Sequence, residues 1–572
     1  MFYTQRIRSI FVKEQTERTW RYSLQYVWVT MTEKDLWKRY CSFYEKPFSK
    51  QMEENASRME RTFQKWKETD LVKITCCGTL SRLHDVPVTT YDDYPILADF
   101  GHRIEAAVKR TPRTRGELCK AYYDRLTREI GSALSRYMPE PYYFAMKTTG
   151  TTGQSKWVAH GETFWTNFLE GAVASAVIAC SDAWGETKVL SGDKALNVTA
   201  PIPYLSGWAS WASQTQFELI PPIAVTDNLG SMRDAYLLMF KAIERGEKIA
   251  LGGGLGSMFY MLCKYFIEPE EFYRESYCAM PWCVTKVLLS LKLLQLQWRT
   301  PKRRSIVEYI PLKGVLIGGL DSRLYIDFFK DEFGLEPLNN YGSTEVGNLM
   351  RGDPDRKSDL VPDLKTGYLE FMTEEGEVRR LDEVKQGERY DLVVTPFGSI
   401  FFRYDMKDFF RVVDFRDDGM PVFAFEGRKI TVIDLYGFRV SPHVVTQALL
   451  RAGLRSSDKW AVTKFLKPKE RLHFVMEKTW PHSEQTAETL IFQSLMGVDE
   501  AMPHRGRTLR DYVAEFKINT PSDVVSVEYV KPGAFLRYAM VKAKEGAPVG
   551  QYKPPKIIPS DRLDIYETLK TA

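Results

Sequence analysis

Lys147-Thr-Thr-Gly-Thr-Thr-Gly-Gln-Ser-Lys156-Trp157 follows directly on an apolar, strand-like run, Tyr142-Tyr-Phe-Ala-Met146. The turn carries five hydroxyls, two glycines and a flanking lysine. That composition suits a polyphosphate. Glycine lets the backbone approach closely, exposed N–H groups and hydroxyls donate to phosphate oxygens, and Lys156 brings a mobile positive charge. The candidate nucleotide contacts are therefore Thr148, Thr149, Gly150, Thr151, Thr152, Gly153 and Lys156. The segment is not the G-x-x-x-x-G-K-[ST] loop, because its lysine stands three positions after the second glycine and no Ser or Thr follows it. A Thr/Gly-rich turn by itself also reads as a plain loop, so the rest of the chain decides.

At 572 residues the chain exceeds the usual size of one domain, and 44% hydrophobic with 27% charged residues is the balance of a globular protein with ample core. A net charge of +5 is too small over this length to imply nucleic acid. Its clearest basic run, Arg299-Thr-Pro-Lys-Arg-Arg304, is interrupted by proline and reads as a solvated loop. No window supplies the roughly 18 apolar residues that span a bilayer, so no membrane insertion is expected. The start, Met1-Phe-Tyr-Thr-Gln-Arg6, lacks a signal-peptide pattern. Eight cysteines without framework or zinc spacing make a reducing cytoplasm the simplest compartment.

Trp20, Tyr26, Trp28, Trp37, Tyr40, Phe43 and Trp66 recur among charges at helical spacing, predicting amphipathic helices on a larger body. From about 140 to 425, β-rich runs alternate with helical patterns. They include Lys188–Leu190, Ala195–Thr199, Lys248–Leu251, Gly314–Gly318 and Asp391–Thr395, and the alternation argues α/β sheets. Gly252-Gly-Gly-Leu-Gly256 reads as a tight strand-to-helix turn, since its spacing does not fit a dinucleotide fingerprint. Met258–Phe266 and Val287–Leu294 read as buried helix faces. After Glu426 the runs become shorter strands and helices. The expected architecture is a large N-terminal domain, residues 1–425, of β-sheets flanked by helices, and a smaller α+β domain, residues 426–572.

Four further motifs follow in order: Leu316-Ile-Gly318-Gly319, Tyr341-Gly342-Ser343-Thr344-Glu345, Arg403-Tyr-Asp-Met-Lys-Asp408 and Gly427-Arg428-Lys429. With the phosphate turn, they resemble the acyl-adenylate-forming enzymes. The resemblance implies ATP and Mg²⁺ as nucleotide and metal. It gives Gly318, Gly319, Tyr341, Gly342, Ser343 and Thr344 to the adenine side, Asp408 to the ribose hydroxyls, Arg428 to ribose or phosphate, and Lys429 to the hinge of a mobile C-terminal domain. Glu345 becomes the magnesium ligand, although a glutamate after a short turn is equally a helix-start residue favoured by the dipole. Lys553, in Gln551-Tyr-Lys-Pro-Pro-Lys556, becomes the tail lysine of the first half-reaction; without the resemblance it is a surface lysine. Activating a carboxylate with ATP needs positioning and charge neutralisation rather than a general base. That agrees with seven scattered histidines and no nucleophile–His–Asp pattern.

Several longer stretches resemble the Gretchen Hagen acyl acid amido synthetases, which join an acyl acid to an amino acid through the adenylate. These are Val86-Pro-Val-Thr-Thr-Tyr-Asp-Asp93, Gly387–Phe397 with Arg411-Val412, and the Gln551-Tyr-Lys tail. Tyr436-Gly-Phe-Arg-Val-Ser-Pro442 instead resembles the turn beside the pantetheine tunnel of CoA ligases. Asp405 and Lys407 stand where amido synthetases usually show Arg and Gly. The implied partners are a small carboxylic acid and, as acceptor, an amine or amino acid, with CoA as the alternative. Tyr204 and Trp208 stand where such enzymes line the acyl pocket, and as aromatics they serve equally as core. A non-catalytic nucleotide-binding protein of the same fold is a different class, which four intact polar positions (Lys156, Glu345, Asp408, Lys553) argue against. A kinase-type phosphotransferase lacks its Walker lysine and catalytic-loop Asp/Asn pair.

Overall fold

The computed structural model describes residues 31–75, 82–148, 156–197, 199–229, 232–270, 305–319, 322–428, 433–435, 438–455, 458–466, 470–501, 508–515, 518–544, 556–559 and 562–571, with isolated helical positions between 274 and 294. Strands β1 (Phe144–Lys147) and β2 (Trp157–His160) pair antiparallel with Lys147 opposite Trp157, so the phosphate turn is the connection of a hairpin. Of that turn, residues 149–155 lie outside the described set.

The main sheet has seven strands in the order β4-β3-β5-β6-β7-β8-β9. They are β3 (Lys194–Leu196), β4 (Glu218–Ile220), β5 (Ile249–Leu255), β6 (Gly314–Gly318), β7 (Leu338–Ser343), β8 (Gly347–Arg351) and β9 (Val361–Pro362). The first five of that order run parallel, and β8 and β9 each pair antiparallel with the strand before. Side chains alternate between the two faces. Leu196, Ile220, Val315 and Ile317 meet Met258, Phe259, Leu262 and Cys263 of helix Gly256–Ile267. Ala195 and Leu219 meet helix Glu162–Ala179 together with Leu36, Trp37 and Tyr40 of helix Glu33–Tyr40. Glu162–Ala179 buries Phe164, Phe168, Val173, Val177 and Ile178, the all-round apolar pattern of a helix enclosed by protein. Among the described residues, no helix is long and apolar enough to cross a membrane.

A second sheet, β11-β10-β12-β13-β14, is antiparallel throughout. Its strands are β10 (Gly367–Met372), β11 (Val378–Arg380), β12 (Arg389–Pro396), β13 (Tyr404–Phe415) and β14 (Pro421–Arg428). Helix Phe48–Lys67 lays Met59, Phe63 and Trp66 on it, and Trp66 stacks on Phe402 with centroids 4.1 Å apart. Beyond it come the hairpin β15 (Ile433–Leu435) and β16 (Phe438–Val440), helix Pro442–Arg451, and a four-stranded sheet in the order β19-β18-β17-β20. That sheet consists of β17 (Trp460–Phe465), β18 (Arg471–Glu477), β19 (Val525–Val530) and β20 (Ile557–Ile558). These C-terminal elements have a core drawn wholly from residues 433–557.

Three local expectations are corrected. Lys188–Leu190 is not a strand: Val189 is buried but the chain there is irregular, with the Lys188 N–H donating to the Cys180 carbonyl. Gly252–Gly254 lie within β5, not in a turn, because the sheet leaves no room for side chains there; a Cβ on Gly252 would stand 2.4 Å from the Phe259 ring. Val287, Leu291 and Leu294 are 44%, 58% and 52% exposed, so that stripe is not a buried face. The basic run 299–304 lies outside the described residues.

Gly253 has φ of +156°, and a Cβ there would stand 1.9 Å from the Leu316 carbonyl oxygen of the neighbouring strand. Gly253→Ala should therefore cost about 3 kcal/mol or more, from overpacking against backbone that cannot rotate away. The urea midpoint measures this; a shift within error of wild type would refute the register of β5 and β6.

Candidate active site

The hairpin β1–β2 brings the two ends of the phosphate turn together. The Thr148 N–H donates to the Lys156 carbonyl at 2.8 Å, and the Lys156 N–H donates to Thr148 Oγ1 at 2.8 Å. The Lys156 ammonium sits 4.2 Å from the centroid of the Tyr91 ring. Tyr91 is held by its hydroxyl, which donates to the Trp157 carbonyl at 3.1 Å. It belongs to the 86–93 segment, which bridges to the second sheet where the Asp405 N–H donates to the Thr89 carbonyl.

Gly318 and Gly319 lie at the carboxyl end of β6, and Ser343–Glu345 at that of β7, the edge of a parallel sheet where ligands bind. No helix follows Glu345. β7 and β8 form a hairpin with Ser343 paired to Gly347, so the helix-start explanation of Glu345 falls away. A Cβ on Gly342 would stand 2.4 Å from the Gly347 carbonyl oxygen, which is why this turn needs glycine. Thr344 Oγ1 donates to Glu345 Oε2 at 2.8 Å, and the Glu345 N–H donates to Ser343 Oγ at 3.2 Å.

Tyr341 packs its ring edge-on to Phe410, with Phe425 also alongside, and its hydroxyl donates to Asp408 Oδ2 at 2.5 Å. Asp408 pairs across the β13–β14 ladder with Arg428, whose Nε donates to Oδ1 at 2.7 Å. Asp408 is 0% exposed. Burial pushes its carboxyl above the ordinary range, while Arg428 and the Tyr341 hydroxyl pull it down. The Asp408 side chain leaves the strand at an irregularity, where Asp405 opposes Val393 and Phe409 opposes Asp391. Within it Lys407 has φ of +56°, in the left-handed region.

One carboxylate links these pieces. Burial first, and then the charge of Glu345, push the Tyr91 and Tyr404 phenols upward. The same charge is felt by Tyr341, Asp408 and Arg428. The phosphate hairpin, the Tyr341–Glu345 turn and the β13–β14 ladder therefore converge. Glu345 Oε1 accepts no hydrogen bond among the described residues, and a carboxylate oxygen left open in this way fits a hard cation. No group of three metal-binding side chains exists among the described residues, and Mg²⁺ held by one carboxylate plus substrate phosphates needs none.

The GH3 family central domain matches residues 360–428, the stretch that holds Arg403–Asp408 and Arg428. Jasmonoyl-L-amino acid synthetase JAR4 of Nicotiana attenuata is 23% identical over 277 residues, 45% of this chain and 46% of the relative, so the match spans about half that relative's length. Among solved structures, an acyl acid amido synthetase, GH3.15, with 2,4-DB bound has a TM-score of 0.60 at 16% identity, covering 94% of this chain and 96% of that one. The fold is that of the GH3 acyl acid amido synthetases. A 2-hydroxyisobutyryl-CoA ligase in its postadenylation state shares this fold with TM-score 0.53 at 12% identity, covering 91% and 93%.

Thr149, Gly150, Thr151, Thr152, Gly153, Lys429 and Lys553 lie outside the described residues. Tyr204 caps helix Leu205–Ser213, half-buried and bridged to Lys147. Trp208 is 2% exposed, wedged against Phe144 and Trp165 in a core that includes Ile202 and Phe168. Sequence reasoning assigned no role to Tyr91, although it sits in a segment singled out for resemblance. It also read past His160, four positions after Lys156. That imidazole is fully buried, and its Nε2 lies 2.8 Å from the Thr344 carbonyl.

Burial pushes the His160 imidazole down to about 3. Because the folded value is depressed, its contribution to stability is present above the unfolded value near 6.5 and is lost as pH falls toward 3, by at most about 1.4 kcal/mol per unit. His160→Gln should therefore flatten the decline of unfolding free energy between pH 6.5 and 4. Parallel wild-type and variant curves from urea titrations would show that the imidazole is not buried neutral.

Proposed function

We propose that this protein is an ATP-dependent, AMP-forming ligase that activates a small carboxylic acid as its acyl-adenylate and passes the acyl group to an amine or amino acid. The observation that carries the reading is the convergence of Lys156, Glu345, Tyr341, Asp408 and Arg428 on one edge of the parallel sheet. A carboxylate oxygen of the acid attacks the α-phosphorus, and the bond to pyrophosphate breaks in line. An amine then attacks the acyl carbon, AMP leaves with the bonding pair, and the amine loses a proton. Neither step needs an enzymic nucleophile. Lys156 and the Thr/Gly turn would hold the phosphates, and Glu345 would hold Mg²⁺, which supplies neutralisation of phosphate charge. Asp408 would take the ribose hydroxyls, Tyr341 the adenine, and Tyr204 one wall of the acyl pocket. Residues 426–572 would be the mobile domain, hinged at Lys429 and carrying Lys553.

The preference for an amide is supported by the central-domain match, by a relative whose name describes an amino acid conjugate, and by the Gln551-Tyr-Lys tail. The resemblance of Tyr436-Gly-Phe-Arg-Val-Ser-Pro442 favours thioester formation with CoA instead. Of that stretch the described residues run from β16 into helix Pro442–Arg451 through a Ser441 cap, whose Oγ accepts from the Val444 N–H at 3.3 Å.

Carboxylate-dependent exchange of labelled pyrophosphate into ATP tests the first half, with AMP as the nucleotide product. Lys156→Ala and Glu345→Gln should each lower the exchange rate by about 10²–10³-fold while the chain stays folded. Exchange that survives both changes would reject the site. An amino-acid panel set against CoA decides the acceptor, and a thioester alone would reject the amide.

A further inference from the structure

His160 joins the two halves of the candidate site. The Thr344 carbonyl can only accept, so at 2.8 Å His160 Nε2 carries the proton and donates. That leaves Nδ1 unprotonated, and it is buried with no hydrogen-bond partner among the described residues. The ring stacks on Phe164 with centroids 3.6 Å apart and planes 16° apart, and it lies 5.3 Å from Phe144. Its backbone is fixed as well, bridged to Ser399, while the Gly161 N–H donates to the Gly398 carbonyl at 2.7 Å. The other end of the 343–347 turn rests on the same helix, for Gly347 sits above the Phe164 and Phe168 rings.

The two ring nitrogens act in opposite senses on stability, one bonded and one orphaned. Phenylalanine would keep both aromatic contacts and avoid an orphaned Nδ1, but it would leave the buried Thr344 carbonyl without its donor at a similar cost of about 1–3 kcal/mol. What the nitrogen adds is a fixed donor on the hairpin of Lys156, aimed at the carbonyl directly before Glu345. We infer that His160 is a positioning residue that sets Glu345 against the phosphate turn, and so sets how strongly Mg²⁺ is held there with nucleotide. The inference rests on the proposed function for the identity of the ligand, though not for the anchoring itself.

The test uses the full chain with His160→Phe, which keeps the stacking and loses the donor, and His160→Gln, whose amide N–H can restore it. Binding of a non-hydrolysable ATP analogue is measured by calorimetry with and without Mg²⁺. In the Phe variant the gain in affinity due to Mg²⁺ should fall about 10-fold or more, with the Mg²⁺-free affinity nearly unchanged, as for other residues that orient a metal ligand. The Gln variant should recover most of the gain. Equal losses with and without Mg²⁺, or Phe and Gln variants that behave alike, would overturn the inference. Hydrogen exchange of the peptide covering residues 338–351 reads the anchoring without any ligand: faster in Phe than in Gln supports it, and no difference overturns it. Wild-type chain that binds no nucleotide would overturn the proposed function, and the exchange measurement would still decide the anchor.

Discussion

The buried Asp408–Arg428 pair, completed by the Tyr341 hydroxyl, is the contact on which the candidate site depends. It ties the last parallel strand of the main sheet to two neighbouring strands of the second. A carboxylate with no exposed surface is tolerated only if its charge is matched and its oxygens are bonded, and both are provided here. Removing one partner of such a pair typically costs 3–5 kcal/mol, because the other charge stays buried. Under the proposed function the arrangement carries a further consequence. Ribose hydroxyls reaching Asp408 would compete with Tyr341 and Arg428 for oxygens already engaged. Arg428 is also the last residue of β14, directly before the stretch proposed to pivot. Nucleotide occupancy and the position of the C-terminal elements would thus be written into the same two side chains.

The same segment explains one family pattern in physical terms. Amido synthetases usually show glycine where this chain has Lys407, and Lys407 adopts φ of +56°. For a residue with a Cβ, left-handed backbone costs about 1–2 kcal/mol, which glycine avoids. Here the conformation is held by the Asp405 carboxylate, which accepts from the Lys407 N–H at 2.7 Å. Asp405 and Lys407 therefore depart from the pattern together, the carboxylate supplying locally what glycine supplies by lacking a side chain. Asp408 itself faces inward on the same alternation as Tyr404, Met406 and Phe410.

How far the sequence could be read follows from the range of each interaction. The strand-like run before the phosphate turn and the Thr/Gly composition of the turn were legible because their signal is local, whereas the second strand, Trp157–His160, was not read. The alternating sheet and its covering helices were legible from periodicity, as at Met258–Phe266. The glycines of β5 were misread because composition alone does not separate a turn from a strand pressed against its neighbours. His160 was invisible for another reason. Its partner lies 184 positions away, and a lone histidine among aromatic residues carries no local mark of a carbonyl waiting above it. Glu345 was ambiguous until the β7–β8 pairing removed the helix that would have explained it.

The electrostatic character of the site follows from burial beside Glu345. Tyr91, Tyr341 and Tyr404 are all pushed upward, so each stays an uncharged phenol with a proton to donate. His160 is pushed the other way and stays an uncharged imidazole. Both shifts have one cause, the cost of charge in a space with little water, and both leave these groups fixed in charge around neutrality. Under the proposed function such a surface would suit a polyanionic substrate, since these four groups add no negative charge and would not titrate as the substrate binds. It would also suit the proposed chemistry, in which the protein moves no proton of its own: the acid would arrive ionised, and the proton released later would belong to the amine. The protonation state of the acceptor, rather than of these four side chains, would then govern how the second step responds to pH.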